Sequence, residues 1–443
     1  MKTLFRLIII GILLYLGYNY VKENHPSIAA EIQPVLQKVR EISGDLMSEI
    51  QQDSKPGTKA IQDKDYPTGD QSQKGNTSVA HATELQHVPD SRNQQKEKPS
   101  QGVEKRSEPA ESKNYNKTAK EETESGWIKE VTRKYSPSSW KLLQYYDELP
   151  GKISAQSDNK DYVINSSKPV DTYHYVSYDS KVACVNSMST NVHEIAHAYH
   201  NMKPYDYANQ TNTILKWENT RGYIYVSPTE GYLVSFPKEL LFPSSELARR
   251  IPASRRTFRF DTYINGNNST QSDGVFGLLN ELYAYYFDSR FCYDMYEIYK
   301  ELYPQPGKGL IEWIAYTKST MAAFYEFHFF IQEYLLYMKE TQPADYEKLM
   351  HYTPFLKSYS AVYKRYYQLV NDYEELIHRE KERLNREGCV KAFMEGNTLW
   401  IQPAGSRKRE GVELIHEDVQ KLQPALESNR YNPIKPAMAS ILY

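Results

Sequence analysis

The chain has 443 residues, enough for one well-buried core and for two or three domains. Its formal net charge is −2 and charged residues make up 25% of it, so no overall field favours nucleic acid or an acidic membrane surface as a partner. The three cysteines, Cys184, Cys292 and Cys389, are far apart and form no C-x-x-C pair, which excludes a cysteine-based metal site and a disulfide framework but leaves one bridge between Cys184 and Cys292 open.

An uncharged apolar run, Leu7 to Tyr18, lies near the N-terminus behind Lys2 and Arg6. With its flanking residues the run approaches the ~20 residues that a membrane-spanning helix needs. No small-residue cleavage site follows it, so we predict an uncleaved signal anchor over 1–21, with a cleaved signal peptide and secretion as the alternative. Because the basic residues precede the span, we expect a single-pass protein of the cell membrane with Met1 in the cytoplasm and the bulk of the chain outside it.

Two segments of different character follow this run. Apolar residues recur at spacings of four and three over 28–50, which predicts an amphipathic membrane-proximal helix over 22–51 and would allow self-association. Pro34 and Gly44 interrupt the pattern, so a short helix without a partner is the alternative. Residues 52–125 have almost no apolar side chains to offset their ordering entropy, and we predict that they form a disordered linker.

The rest of the sequence predicts a folded domain over 126–388 with a small appendage over 389–443. Asp161–Ser167 and Asp171–Tyr178 are rich in β-forming residues and are predicted strands. From about Gly277 to Arg386 the pattern is largely helical. Strands followed by many helices predict an α+β class, mostly helical with a small β-sheet.

Proline and glycine predict where the C-terminal elements begin and end. Gly388 is expected to end the last long helix. Val390–Pro403 is predicted to be a β-hairpin that turns at Gly396, and Glu413–Leu422 is predicted to hold a short helix. Breaks in the helical region are expected at Tyr303–Gly309, at Pro343 and at Pro354.

The stretch NVHEIAHAYHN places His193, Glu194 and His197 in the order H-E-x-x-H. On a helix the two imidazoles lie on one face, one turn apart, where they can share one Zn²⁺ ion. Glu194 projects beside that ion, where it can take a proton from a water that the metal activates. The alternative is a capping box, in which Asn191 and Glu194 do no more than start a helix.

A catalytic zinc site needs a third protein ligand. His200 lies about 10.5 Å from His193 along a straight helix, too far for it to share the ion with His193 and His197. Glu281 is the better candidate, because it lies in the apolar helical stretch Gly274–Arg290 and a carboxylate buried there needs a partner. Two histidines and one glutamate form a ligand set of catalytic zinc and leave a fourth position for water.

HEIAH at 193–197 followed by NELYAYY at 280–286 resembles the gluzincin group of zinc metallopeptidases, in which the downstream glutamate is the third ligand. The resemblance covers these two segments and their order. It implies a zincin-like catalytic domain with Zn²⁺ as cofactor and a peptide or protein as substrate. It also implies that the metal ligands are His193, His197 and Glu281 and that Glu194 is the catalytic base.

The sequence departs from the gluzincin pattern after the glutamate. Many members have an aspartate four residues after it, whereas this chain has Tyr285 there and Asp288 three residues later. Asn280 or Asp288 could orient a ligand, with a surface or ion-paired position as the alternative for Asp288. Tyr285 and Tyr263 are candidates for stabilising the oxyanion.

Two further expectations concern the substrate. Five arginines in Ala248–Phe260 could grip an anionic group, or could form a solvated basic surface. By analogy an extended substrate would lie beside the predicted strand Asp171–Tyr178. The chain is thus expected to be a membrane-anchored, extracytoplasmic zinc peptidase. The alternatives are an inactive zincin-like binding module of the cell envelope and a zinc hydrolase of a non-peptide amide.

Overall fold

The computed structural model describes residues 119–159, 163–266, 268–415 and 417–442. The predicted anchor over 1–21, the amphipathic helix over 22–51 and the linker up to residue 118 lie outside the described residues. Within the described part, no helix is both long enough and apolar enough to cross a membrane. This part belongs to a single compact unit.

Helices make up most of the described residues, in agreement with the predicted mainly helical α+β class. They are α1 Ala119–Tyr135, α2 Pro137–Glu148, α3 Lys181–Thr211, α4 Phe260–Tyr263, α5 Val275–Asp294, α6 Tyr296–Leu302, α7 Lys308–Thr341, α8 Pro343–Met350, α9 Thr353–Glu387, α10 Glu417–Gln420, α11 Gln423–Glu427 and α12 Lys435–Leu442. The predicted helix breaks are confirmed, and α9 ends at Gly388, whose φ of 74° is the left-handed conformation that glycine adopts most easily.

The strands form small antiparallel sheets. They are β1 Lys152–Gln156, β2 Val163–Ser167, β3 Asn219–Ser227, β4 Glu230–Pro237, β5 Val390–Glu395, β6 Thr398–Pro403 and β7 Glu410–Glu413. β1 pairs with β2, β3 pairs with β4, and β5, β6 and β7 pair in that order. The hairpin turning at Gly396 is confirmed, and the short helix predicted over Glu413–Leu422 is limited to α10.

The prediction of a strand over Asp171–Tyr178 was wrong. Side chains of α3 hold this segment in turns: the backbone N–H of Tyr175 donates to Asn191 Oδ1 at 3.1 Å, and that of Ser177 donates to Ser187 Oγ at 2.8 Å. Asn191 Nδ2 also donates to the carbonyl of Thr172 at 2.9 Å. The polar backbone groups of the segment therefore bond to a helix instead of a neighbouring strand.

The capping-box alternative for Asn191 was also wrong. Helix α3 begins at Lys181, where the side chain of Ser180 accepts a hydrogen bond from the N–H of Ala183. Asn191 therefore lies in the middle of the helix, and Glu194 does not close its first turn. The H-E-x-x-H residues lie well inside a long, continuous helix.

The folded part begins earlier than predicted. Helix α1 starts at Ala119, inside the predicted linker over 52–125. Acidic residues in its first turn interact favourably with the helix dipole, and Ile128 and Val131, about two to three turns later, are buried in the core. These two buried side chains give a polar segment enough apolar contact to join the fold.

The segment after α9 shares the core of the preceding helices. Val390, Leu399, Val412 and Tyr431 belong to the same cluster of buried residues as the long helices. Glu333 of α7 is almost fully buried and accepts hydrogen bonds from Arg250, Arg430 and Tyr431. The C-terminal segment is thus joined to α7 by polar contacts as well as by apolar packing.

Candidate metal centre

Helices α3 and α5 bring three potential metal ligands together. The Nε2 atoms of His193 and His197 are 3.1 Å apart. Glu281 Oε2 lies 3.3 Å from His197 Nε2 and 3.9 Å from His193 Nε2. Two ligands of a tetrahedral zinc ion, each at ~2.0–2.1 Å from it, are about 3.3 Å from each other. The donor atoms are therefore spaced as a shared ion would require.

One oxygen of the buried Glu281 carboxylate lacks a hydrogen-bond partner within the described part of the chain. Glu281 is 5% exposed and His193 is 7% exposed. Glu281 Oε2 has no hydrogen-bond partner among the described residues. Burying a carboxylate oxygen without a partner destabilises the folded state by roughly several kcal/mol. A cation held between this oxygen and the two imidazoles would offset that loss. The residues thus fit a divalent metal such as Zn²⁺.

The electrostatics of the two histidines differ. Burial, together with positive charge on His197 and Arg259, holds the pKa of His193 well below its usual value and keeps this imidazole neutral. Burial is the largest single effect on His197 and acts to lower its pKa, but the negative charges of Glu281 and Glu194 and the polar contacts with Glu281 and Asn280 together outweigh it, so the pKa of His197 is raised. The site therefore attracts positive charge at the point where the three donor atoms meet.

Asn280 contacts Nδ1 of His197, the ring nitrogen that is not among the three donor atoms. The amide Oδ1 of Asn280 lies 3.1 Å from His197 Nδ1. With this oxygen as acceptor, Nδ1 carries the proton, and the lone pair of Nε2 points toward His193 and Glu281. Consecutive residues of α5 thus supply one potential ligand, Glu281, and the group that orients another, His197.

Asp288 is buried beneath His193, so a surface position for this residue is excluded. Its Oδ2 lies 3.9 Å from His193 Nδ1, beyond hydrogen-bond distance, and that Nδ1 has no hydrogen-bond partner among the described residues. Its Oδ1 accepts a long hydrogen bond from Cys292 Sγ at 3.4 Å. Burial raises the pKa of Asp288 to about 6. The carboxylate faces His193 without fixing its orientation.

The two tyrosines predicted as oxyanion candidates form a pair beside the donor atoms. Their hydroxyl oxygens are 3.0 Å apart. The ring of Tyr285 lies edge-on to that of His193 at 4.4 Å and stacks on Phe327 at 5.3 Å. Burial and the negative charge of Glu281 raise the pKa of Tyr263, so this phenol stays a neutral donor. Both rings are partly exposed, which leaves them open to a substrate.

Glu194 occupies the more open side of α3. It is partly exposed, whereas its neighbour His193 is buried. Its negative charge contributes to the raised pKa of both His197 and Asp288. A carboxylate close to the donor atoms and open to water is in the position that a catalytic base needs.

His200 lies outside the group of donor atoms, as the helix spacing predicts. It is buried against β3, where a Cβ added at Gly222 would lie 2.0 Å from His200 Nε2. Burial lowers the pKa of His200 to about 3, so the ring stays neutral. Its role is to fill the contact between α3 and the hairpin β3–β4.

The arginine-rich stretch does not form one basic surface. Arg259 is 5% exposed and pairs with the fully buried Glu326 of α7 at 2.6 Å. Arg250 pairs with Glu333 and Glu340. Arg256 donates to backbone carbonyls of its own loop. Nothing in the sequence sets Arg259 apart from the other arginines of this stretch, although Glu326 lies in an apolar helical stretch as Glu281 does.

None of the three cysteines forms a disulfide, so the bridge between Cys184 and Cys292 is absent; these two thiols are buried and Cys389 is exposed. No protein-family model, curated protein or solved structure matches this chain. What the site can do therefore follows from its own residues: the imidazoles of His193 and His197, the buried carboxylate of Glu281, the partly exposed carboxylate of Glu194 and the phenols of Tyr263 and Tyr285.

Proposed function

We propose that this protein is a zinc-dependent peptidase that hydrolyses peptide bonds with Glu194 as the catalytic base. The observation that carries the proposal is the convergence of His193, His197 and Glu281, whose donor atoms are separated as zinc ligands are. These three residues would hold the ion. We further propose that residues 1–21 tether the enzyme to the cell membrane and that it acts outside the cytoplasm on peptides or proteins.

Zinc held by these residues would lower the pKa of a water molecule and polarise the carbonyl that is to be cleaved. The carboxylate of Glu194 accepts the proton of the attacking water at a side-chain oxygen and then donates it to the nitrogen of the leaving amine. Its partial exposure allows both transfers, because water and substrate reach it from the open side of α3.

The phenols of Tyr263 and Tyr285 supply the remaining polar groups. Each hydroxyl can donate a hydrogen bond to the oxygen on which negative charge develops as the carbonyl is attacked. Their mutual distance of 3.0 Å means that one phenol can donate to the other while the second donates to substrate. The edge contact of Tyr285 with His193 places that phenol beside the ligand set.

The test is metal content and turnover of the full chain for wild type, Glu194→Ala, Glu281→Ala and the exposed control Glu301→Ala. We expect near-stoichiometric zinc in all except Glu281→Ala, and peptide hydrolysis only in wild type and the control. Full activity of Glu194→Ala would overturn the mechanism, and zinc-free wild type from chelator-free preparations would overturn the metal site. If wild type hydrolysed small amides but none of the peptides in a broad panel, the alternative of a zinc hydrolase of a non-peptide amide would be favoured.

A further inference from the structure

We propose that Arg259 is a positioning residue of the active site: held by Glu326, it fixes Tyr285 beside His193. The inference rests on the proposed peptidase function for its kinetic consequences, whereas its structural consequence is independent of activity. It assigns a role to a buried charge that lies between the H-E-x-x-H helix and Glu281 in the sequence and that no motif of the chain identifies.

On one side, hydrogen bonds to Glu326 and Ser319 hold the guanidinium of Arg259. Its Nη1 donates to Glu326 Oε2 at 2.6 Å and its Nη2 donates to the carbonyl of Ser319 at 2.9 Å. The backbone N–H of Arg259 donates to the other oxygen of Glu326 at 3.3 Å. Glu326 is 0% exposed, so this pair is a buried, multiply bonded contact with little freedom to move.

The other side of the guanidinium faces the active-site tyrosine. The central carbon of the guanidinium lies 4.4 Å from the centre of the Tyr285 ring, within cation–π range. Arg259 Nε is buried and has no hydrogen-bond partner among the described residues. The guanidinium carbon also lies 4.3 Å from the ring centre of the exposed Phe258, so two aromatic rings, one of them Tyr285, face the guanidinium.

One helix of the core supports both members of this contact. Glu326 of α7 holds Arg259, and the next residue, Phe327, stacks on the Tyr285 ring. Tyr285 thus has its ring fixed by Arg259 and Phe327 and its hydroxyl fixed by Tyr263. A phenol held in this way needs little rearrangement to donate to a developing oxyanion, which is where preorganised donors have their effect.

Arg259 itself is not placed to bind substrate. It is 5% exposed, and its charge is already paired with Glu326. A side chain that gripped a substrate carboxylate would need an exposed, unpaired fork. Its effect on the reaction therefore has to pass through Tyr285. The loss of kcat caused by changing Arg259 should then add little to the loss caused by changing Tyr285.

The variants are Arg259→Gln, Arg259→Lys, Tyr285→Phe, the double variant Arg259→Gln/Tyr285→Phe, and the control Arg256→Gln, which alters an exposed arginine of the same loop. Because Arg259→Gln leaves Glu326 buried without its partner, Arg259→Gln/Glu326→Gln is made beside it, so that a folded protein without the guanidinium is obtained. Each is measured for zinc content, kcat and KM, and the metal-free forms of wild type and the arginine variants are crystallised.

We expect Arg259→Gln to keep its zinc and its KM while kcat falls roughly 10- to 100-fold, less than the ~10²–10³ reported for loss of an oxyanion donor. The defect should add little to that of Tyr285→Phe, Arg259→Lys should be intermediate, and Arg256→Gln should match wild type. In the crystals of the arginine variants the Tyr285 ring should leave its 4.4 Å contact with His193.

Additive defects, or a change confined to KM, would overturn the positioning role. So would a Tyr285 ring that stays in place in metal-free Arg259→Gln/Glu326→Gln. The position of the Tyr285 ring in the crystals tests the positioning role even if wild type hydrolyses no peptide. A wild-type protein without zinc and without turnover would refute the proposed peptidase function but not the positioning role.

Discussion

Replacement of Asn280 by alanine should weaken zinc binding without removing any ligand. The amide oxygen of Asn280 accepts the Nδ1–H of His197 at 3.1 Å, and His197 is largely buried, so alanine leaves that donor without a partner. An unsatisfied buried donor costs about 1–3 kcal/mol, and lost support of a ligating histidine weakens metal affinity roughly 10- to 100-fold, which is about 1.4–2.7 kcal/mol. We therefore expect the zinc Kd of Asn280→Ala to rise by that factor.

Competition with a chromophoric chelator at fixed pH measures this Kd. Asn209→Ala is the control, because it removes one side-chain hydrogen bond, donated to the carbonyl of Ser154, from an exposed position of α3 that lies three turns beyond His197. Asn280→Asp keeps an acceptor for Nδ1–H and should retain the affinity. A Kd for Asn280→Ala within twofold of wild type would refute the reasoning that this hydrogen bond orients His197.

Three further predictions concern stability. In Gly222→Ala the new Cβ would overlap the buried ring of His200, so the free energy of unfolding, measured by urea titration, should fall by about 1–3 kcal/mol. Adding His200→Ala to the same chain should recover part of this loss, because it removes the overlapping ring. Burial lowers the pKa of His328 from 6.5 to about 3, so the folded state loses stability as the pH falls from 6.5 toward 3. His328→Gln should reduce the pH slope of the unfolding free energy in that window by up to about 1.4 kcal/mol per pH unit, and an unchanged slope would contradict this. Glu333→Ala removes the shared acceptor of Arg250, Arg430 and the buried Tyr431, while Arg250 keeps its pair with Glu340, and should cost about 1–3 kcal/mol. Arg430→Ala should cost clearly less, because Glu333 keeps its bonds to Arg250 and Tyr431, and equal losses would argue against this network.

The residues of the candidate metal centre could be predicted because their chemistry shows in local spacing. His193 and His197 share a helix face by periodicity alone, and Glu281 stands out as a carboxylate within an apolar stretch. The two segments meet because α3 and α5 are neighbours in the core, a fact that the spacing does not contain. The support from Asn280 depends on that packing, so the sequence offered it only as one of two candidates.

Arg259 was misjudged because its neighbours in the sequence conceal its environment. It belongs to a run of arginines that is typical of a solvated surface. Its burial is decided by Glu326, which lies 67 residues away in the sequence. The apolar surroundings of Glu326 are the one local signal that could have revealed the pair, since a carboxylate there demands a cation.

The strands show the same limit. Asp171–Tyr178 has strand-forming residues but bonds to the side chains of α3, so tertiary contacts override its propensity. The hairpin β3–β4 was not predicted, although aromatic and β-branched residues flank a turn between Ser227 and Glu230. The helices and their ends were easier, because Pro343, Pro354 and Gly388 act through their own backbone geometry.

The position of the ligands along the chain has a consequence for folding. His197 and Glu281 are separated by residues 198–280, which include the hairpin β3–β4 and the loop that carries Arg259. A zinc ion bound to both would join the two ends of this segment in the folded chain, and because the site forms only there, binding would stabilise the fold by about 4 kcal/mol at a free zinc concentration roughly 1,000 times the Kd. Chelation would then do more than stop turnover: it would release the constraint that joins two distant parts of the chain, and proteases should find the intervening segment easier to cut.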